Sequence, residues 1–182
     1  MFEAVAVVMW RCRTHAIRSD PEALTVLSFI SNARTYGGST TNGYYGNCVV
    51  WRLPMATTRE VADGNVMELI KLIKAAKCRV PDQSDMDVLL RLSDWYNLVR
   101  LTCWRSGGVQ AVDFGTGGPA RVMPHWQPQS QIDLPKCTAC FTSMGDYNVL
   151  STFVKEGHAS AILHELEDMH RNYFYYTLPS KM

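Results

Sequence analysis

No apolar run in these 182 residues is long enough to cross a bilayer, and neither sign of charge predominates. Eighteen Lys and Arg stand against 17 Asp and Glu, a net charge of +1, and they are scattered along the chain. The first absence excludes a spanning helix; the second excludes the basic footprint of a nucleic-acid or anionic-lipid binder. The apolar start Met1–Met9 is not built like a secretion signal, because no positive segment precedes it and the Arg-rich "WRCRTHAIR" follows at once. A cytoplasmic, reducing setting is the expectation.

Paired cysteine signals are sparse too. Of six cysteines, Cys12, Cys48, Cys78 and Cys103 each sit alone in apolar segments, where a thiol behaves as a small hydrophobe. Only Cys137-Thr-Ala-Cys140 has a chemical spacing, and no second Cys or His pair accompanies it to complete a zinc site. "CTACFT" alternates like a strand, which puts the two cysteines on opposite faces. No metal is expected.

The stretch "VQAVDFGTGGPARVMP", Val109 to Pro124, holds three glycines and two prolines around Asp113-Phe114, a pair that looks buried. Asp-Phe-Gly holds magnesium in kinases, but only with an upstream glycine-rich loop, a strand lysine and a His-Arg-Asp catalytic loop. None of these precedes Asp113. A phosphate cradle needs a Lys followed by Ser or Thr at a helix start, and here the glycines lead to prolines.

What is present is an ordinary globular balance, 47% apolar and 19% charged. Phe2, Val5, Met9, Cys12 and Ala16 recur at helical spacing, predicting an amphipathic helix over 2–18. "ALTVLSFISNAR" and "YYGNCVVWRL" read as strands separated by the loop "TYGGSTTNG", the second stopped by Pro54. Thr57 or Thr58 is placed to cap one long helix to Cys78, ended by Pro81. "SDMDVLLRLSDWY" predicts a shorter helix capped by Ser84. "NLVRLTCW", "KCTACFTSM" and "YNVLSTFVK" follow as strands, and a helix over 158–173 closes the chain. A single α/β unit with a mixed sheet flanked by helices over 1–182 accounts for this order.

The segments "FEAVAVVMWRCRTHAI", "SNAR", "GYYGN", "TCW" and "DFGTGGP" occur in an order and spacing that resembles the C-terminal half of plant BAHD acyl-CoA-dependent acyltransferases. The likeness is nearest to their alcohol benzoyl- and acetyltransferase branch. It implies a chloramphenicol-acetyltransferase-like domain, acyl-CoA as co-substrate, a small alcohol or amine as acceptor, and half of a bipartite site. The family's catalytic His-x-x-x-Asp lies in the other half. The chain alone is therefore expected to be inactive, with an exposed interdomain face open to association. A truncated, non-catalytic remnant or binding module is the alternative.

The resemblance also assigns residues. Thr102 and Trp104 match the family's Ser/Thr-x-Trp strand, which reaches the channel and can donate to the acceptor or the tetrahedral oxyanion; a buried Trp satisfied by backbone remains equally open. Asp113, with Phe114, Gly115 and Gly117, matches the structural Asp-Phe-Gly-Trp-Gly loop, whose aspartate would pair with Arg34. Thr116 replaces the motif's Trp. Gly46 and Asn47 match a turn beside the channel, with Asn47 bonding backbone. "HELED", His164 to Asp168, fits His-x-x-x-Asp by letter, but it follows Asp113 instead of preceding it and falls on the final helix, so it reads as a chance match. His164 and His170 lie on different helix faces and cannot share a zinc. His15 precedes Asp20 by five residues, one too many for the motif, and reads as a helix-end cation.

Overall fold

A computed structural model describes residues 2–34, 43, 45–79, 82–90, 92, 94–103, 108, 111–119, 136–141, 147–152 and 154–174. Helix α1 spans Phe2–Ile17 and ends at Arg18, whose φ of 51° turns the chain out of the helix while its N–H still reaches the Thr14 carbonyl at 3.3 Å. Its burial is wider than the predicted stripe. Besides Met9, Cys12 and Ala16, the structure buries Ala6, Val7, Trp10, Arg13 and Thr14, because the sheet and three later helices pack around it.

Strands β1 (Leu24–Asn32), β2 (Val49–Arg52), β3 (Met55–Thr57), β4 (Leu98–Cys103), β5 (Lys136–Phe141) and β6 (Tyr147–Thr152) form one mixed sheet in the order β2-β1-β4-β5-β6, with β3 also paired to β1. β1 runs antiparallel to β2 and β3 and parallel to β4; β4 and β5 are parallel, β5 and β6 antiparallel. The predicted second strand proves shorter, starting at Val49. Pro54, which has no N–H to donate, separates it from the short β3 that the sequence pattern did not show.

The single long helix predicted after Thr57 is two. Helix α2 covers Thr58–Asp63 and α3 covers Val66–Cys78. Thr57 and Glu60 form a reciprocal capping box at the start of α2, and Asn65 caps α3 by accepting from the Met67 N–H at 2.8 Å. Gly64 breaks the run in extended backbone, where a Cβ would lie 2.1 Å from the Glu60 carbonyl oxygen. Pro81 lies outside the described residues. Helix α4 spans Gln83–Leu90, so Ser84 falls inside its first turn. The capping is done by Asp82, which exchanges bonds with Asp85 at 3.3 and 3.0 Å. Trp95 and Tyr96, predicted as the end of that helix, form with Asn97 a separate 3₁₀ turn capped by Asp94.

The two faces of β1 and β4 separate cleanly. Leu27, Phe29, Val99 and Leu101 meet α1, α2 and α3 in the main core, with Val7, Trp10, Val61, Leu69 and Ile73. Val26, Leu53, Leu92 and Leu98 form a smaller cluster on the opposite face, covered by Leu89 of α4 and Met55. Helix α5 (Glu156–Phe174) lies against α1, burying Ile162 and half-burying Leu166. Glu3 and Lys77, 2.5 Å apart, join α1 to the end of α3 and hold the Glu3 carboxyl down to about 2, chiefly through the Lys77 hydrogen bond.

Candidate functional site

Beyond the Leu89–Leu92 cover, the second face of the sheet is partly exposed among the described residues. Register puts Ser28 beside Arg100, and Ile30 beside Trp51, so alternation places Ile30, Trp51, Arg100 and Thr102 on this one face. Ile30, Val49 and Trp51 on this face are 39%, 47% and 41% exposed. Thr102, the sequence-derived acceptor candidate, is half-buried here, while its neighbour Cys103 turns to the main core. Trp104 lies outside the described residues.

Sequence reasoning passed over Arg100. Its guanidinium carbon sits 4.7 Å above the Trp51 ring, its Nε–H is buried without an acceptor among the described residues, and burial draws its pKa down. The signal was available: an arginine at an alternate position of "NLVRLTCW" must share a face with Thr102. A hydroxyl beside a guanidinium can donate to a polar substrate group and bind its anionic part.

The Asp113 loop corrects two expectations. Asp113 and Phe114 are not buried: Asp113 is exposed and Phe114 is 91% exposed. Nor does Asp113 pair with Arg34. The carboxylate accepts from the N–H groups of Gly115 at 2.7 Å and Gly117 at 3.0 Å, while Arg34 donates to the Gly46 carbonyl at 3.0 Å. Each group is satisfied locally and sits in water, where a long-range ion pair adds little. Gly115 and Gly117 have φ of 94° and 102°, the left-handed backbone that lets their N–H groups converge on the carboxylate. Thr116 between them is exposed, and Asn47 is exposed with no hydrogen bond among the described residues. Asp113→Asn keeps an acceptor oxygen on the loop, so thermal unfolding of this variant should stay within about 0.5 kcal/mol of the parent. A loss near the roughly 3 kcal/mol of a broken buried ion pair would restore the Arg34 assignment.

His164 and Asp168 do meet, Nδ1 to Oδ2 at 3.0 Å, but as an i,i+4 pair on α5 with side chains 73% and 42% exposed. A base in such a place has solvent in front of it. His15 has a packing role besides the one expected: its Nε2–H donates to the Ala62 carbonyl at 2.8 Å, beside Arg11, which donates to the carbonyls of Ala62 and Gly64. His15 stands in the last turn of α1, as expected, and together with Arg11 it also closes the C-terminal end of α2. Positions 137 and 140 lie on β5, three apart and hence on opposite sheet faces. Among the described residues no three His, Cys, Asp or Glu cluster to hold a metal ion, and no helix is long and apolar enough to cross a membrane.

Residues 1–165 match the Transferase family. Acyl transferase 15 of Oryza sativa subsp. japonica is 36% identical over 181 residues, covering 91% of this chain and 41% of that protein. The fold is shared with TRI101 of F. graminearum, solved with coenzyme A and T-2 mycotoxin, at a TM-score of 0.64 and 18% identity over 97% of this chain and 41% of that one. It is also shared with vinorine synthase, at a TM-score of 0.66 and 16% identity over 90% of this chain and 40% of that one. The chain thus spans about two fifths of the length of the relatives it matches.

Proposed function

Because the chain belongs to the BAHD family of acyl-CoA-dependent acyltransferases and has their chloramphenicol-acetyltransferase-like fold, we propose that it serves the transfer of an acyl group from acyl-CoA to an alcohol or amine. It does so as the C-terminal half of a bipartite site. In the reaction the acceptor oxygen or nitrogen attacks the thioester carbonyl and the new C–O or C–N bond forms. The C–S bond breaks, and the acceptor's proton passes through a base to the departing thiolate, giving free CoA thiol. That base comes from the complementary half, which is expected to cover the partly exposed face around Ile30, Val49 and Trp51.

Thr102 and Trp104 are the donors this half offers to the acceptor or to the oxyanion. Asp113, Phe114, Gly115 and Gly117 shape a loop and take no part in the chemistry, as do Arg34, Gly46 and Asn47. His164 and Asp168 form a surface pair on α5. No metal is required. The unpaired thiols of Cys12, Cys48, Cys78 and Cys103 suit a reducing compartment, and the cytoplasm is where we place the protein.

The observation that carries the proposal is the 36% identity to Acyl transferase 15 across 91% of the chain. The test replaces the matching segment of that enzyme with this chain. The chimera, its parent and the 182-residue chain are assayed by mass spectrometry with acetyl-, benzoyl- and hydroxycinnamoyl-CoA against a panel of alcohols and amines. Product is expected from the chimera and none from the chain alone. A folded chimera that forms no product from any donor, beside an active parent, would sink the proposal. Robust turnover by the isolated chain, lost on His164→Ala, would move the base onto α5.

A further inference from the structure

An arginine inside a strand of apolar and β-branched residues needs a partner or a purpose, and Arg100 has no partner among the described residues. Its guanidinium lies against the Trp51 ring at 4.7 Å, and among the described residues it makes no hydrogen bond or ion pair and its buried Nε–H has no acceptor. A buried charged donor left unmatched is destabilising, and a native fold retains one where something else satisfies it.

We propose that Arg100 selects the acyl acceptor by binding a carboxylate that the acceptor carries, with the acceptor's hydroxyl or amine lying toward Thr102. This rests on the acyltransferase reading above and adds a substrate class to it: acidic alcohols or amines. Arg100 and Thr102 are alternate residues on one strand face, about 7 Å apart along it. A para-substituted aromatic ring spans a separation of that order between its carboxylate and its hydroxyl. The guanidinium fork matches a carboxylate with two parallel N–H···O bonds, and the Trp51 ring fixes the plane of the fork, so little freedom is lost on binding. A phosphate of CoA is the rival anion, and the experiment separates the two.

The 182-residue chain itself is labelled with ¹⁵N-arginine, and the Arg100 Nε–H resonance is assigned by its loss in folded Arg100→Lys. The parent is titrated into the millimolar range with para-hydroxybenzoate, with its methyl ester and with CoA. A saturable downfield shift with the carboxylate and none with the ester or CoA is expected. Isothermal titration calorimetry should show an apparent Kd for the carboxylate at least about tenfold higher for Arg100→Gln than for the parent, the scale of a charge-assisted bond. No shift with the carboxylate, an equal shift with the ester, or a shift with CoA alone overturns the proposal. Because this readout is binding, a null result beside an active chimera indicts Arg100 alone, whereas an inactive chimera indicts the acyltransferase reading.

Discussion

Replacing Trp10 by alanine is expected to bring the protein to the edge of unfolding at room temperature. Trp10 is the largest fully buried side chain among the described residues, 0% exposed, and it touches both the apolar core and a polar chain. Its indole N–H donates to the Thr25 hydroxyl at 3.0 Å, and that hydroxyl donates to the Asn97 carbonyl at 2.9 Å. Helix α1, strand β1 and the turn that starts β4 are thus keyed together at one point, and Ser19 adds a bond to the Asn97 side chain at 2.8 Å. Truncation removes the burial of two fused rings, leaves a cavity between helix and sheet and unmatches the Thr25 oxygen. The sum is a loss of about 4–5 kcal/mol. For a domain of ordinary stability that is a large part of the total. Thermal unfolding followed by circular dichroism should show a midpoint lower by roughly 10–20 °C. Trp10→Phe fills most of the space but lacks the N–H, and should cost about 1–2 kcal/mol. An alanine variant melting within a few degrees of the parent would mean that α1 is not held by this key.

That key is the part of the fold least visible in the sequence. Period and alternation placed α1, β1, β4, β5, β6 and α5 because each carries enough apolar residues in phase to declare its type. They could not show that α1 is covered on several sides, since the residues that cover it come from 15 to more than 150 positions away. The merged helix failed for a local reason. Val61, Val66 and Leu69 continue a helical phase across Asp63-Gly64-Asn65, so the apolar pattern hid a break that the Gly-Asn pair marks. β3 was hidden by its length: three residues after Pro54 cannot show a period.

The site divides in the same way. Thr102 was found through its neighbours in sequence, and its place on the partly exposed sheet face follows from alternation alone. Arg100 went unremarked because a cation in a strand looks like ordinary surface until the register sets it over Trp51, a residue of a strand far earlier in the chain. The expected Asp113–Arg34 pair erred in the opposite direction. Two opposite charges suggested a long-range bond, whereas a short loop with left-handed glycines satisfies the carboxylate at no cost in chain closure.

Cys12 is expected to resist alkylation in the folded protein by about a thousandfold relative to an exposed thiol. It sits on α1 at 1% exposure, and burial, helped by the carboxylate of Glu165 on α5, pushes its thiol from 9.0 up to about 12. Only the thiolate attacks iodoacetamide, so each unit of that rise lowers the reactive fraction near pH 8 about tenfold, before steric shielding is counted. Cys78 is exposed, so it should label within the time that leaves Cys12 untouched; peptide mass spectrometry distinguishes the two. In urea both should react alike. The same burial fixes a sign for stability. Below about pH 8 the thiol is neutral folded and unfolded and contributes no slope. Between 9 and about 12 the unfolded chain gives up the proton that the folded one keeps, so stability falls as pH rises, by at most about 1.4 kcal/mol per unit. Cys12→Ala should remove that alkaline slope. Equal labelling of Cys12 and Cys78 in the native protein would show that α5 does not seal α1 from water.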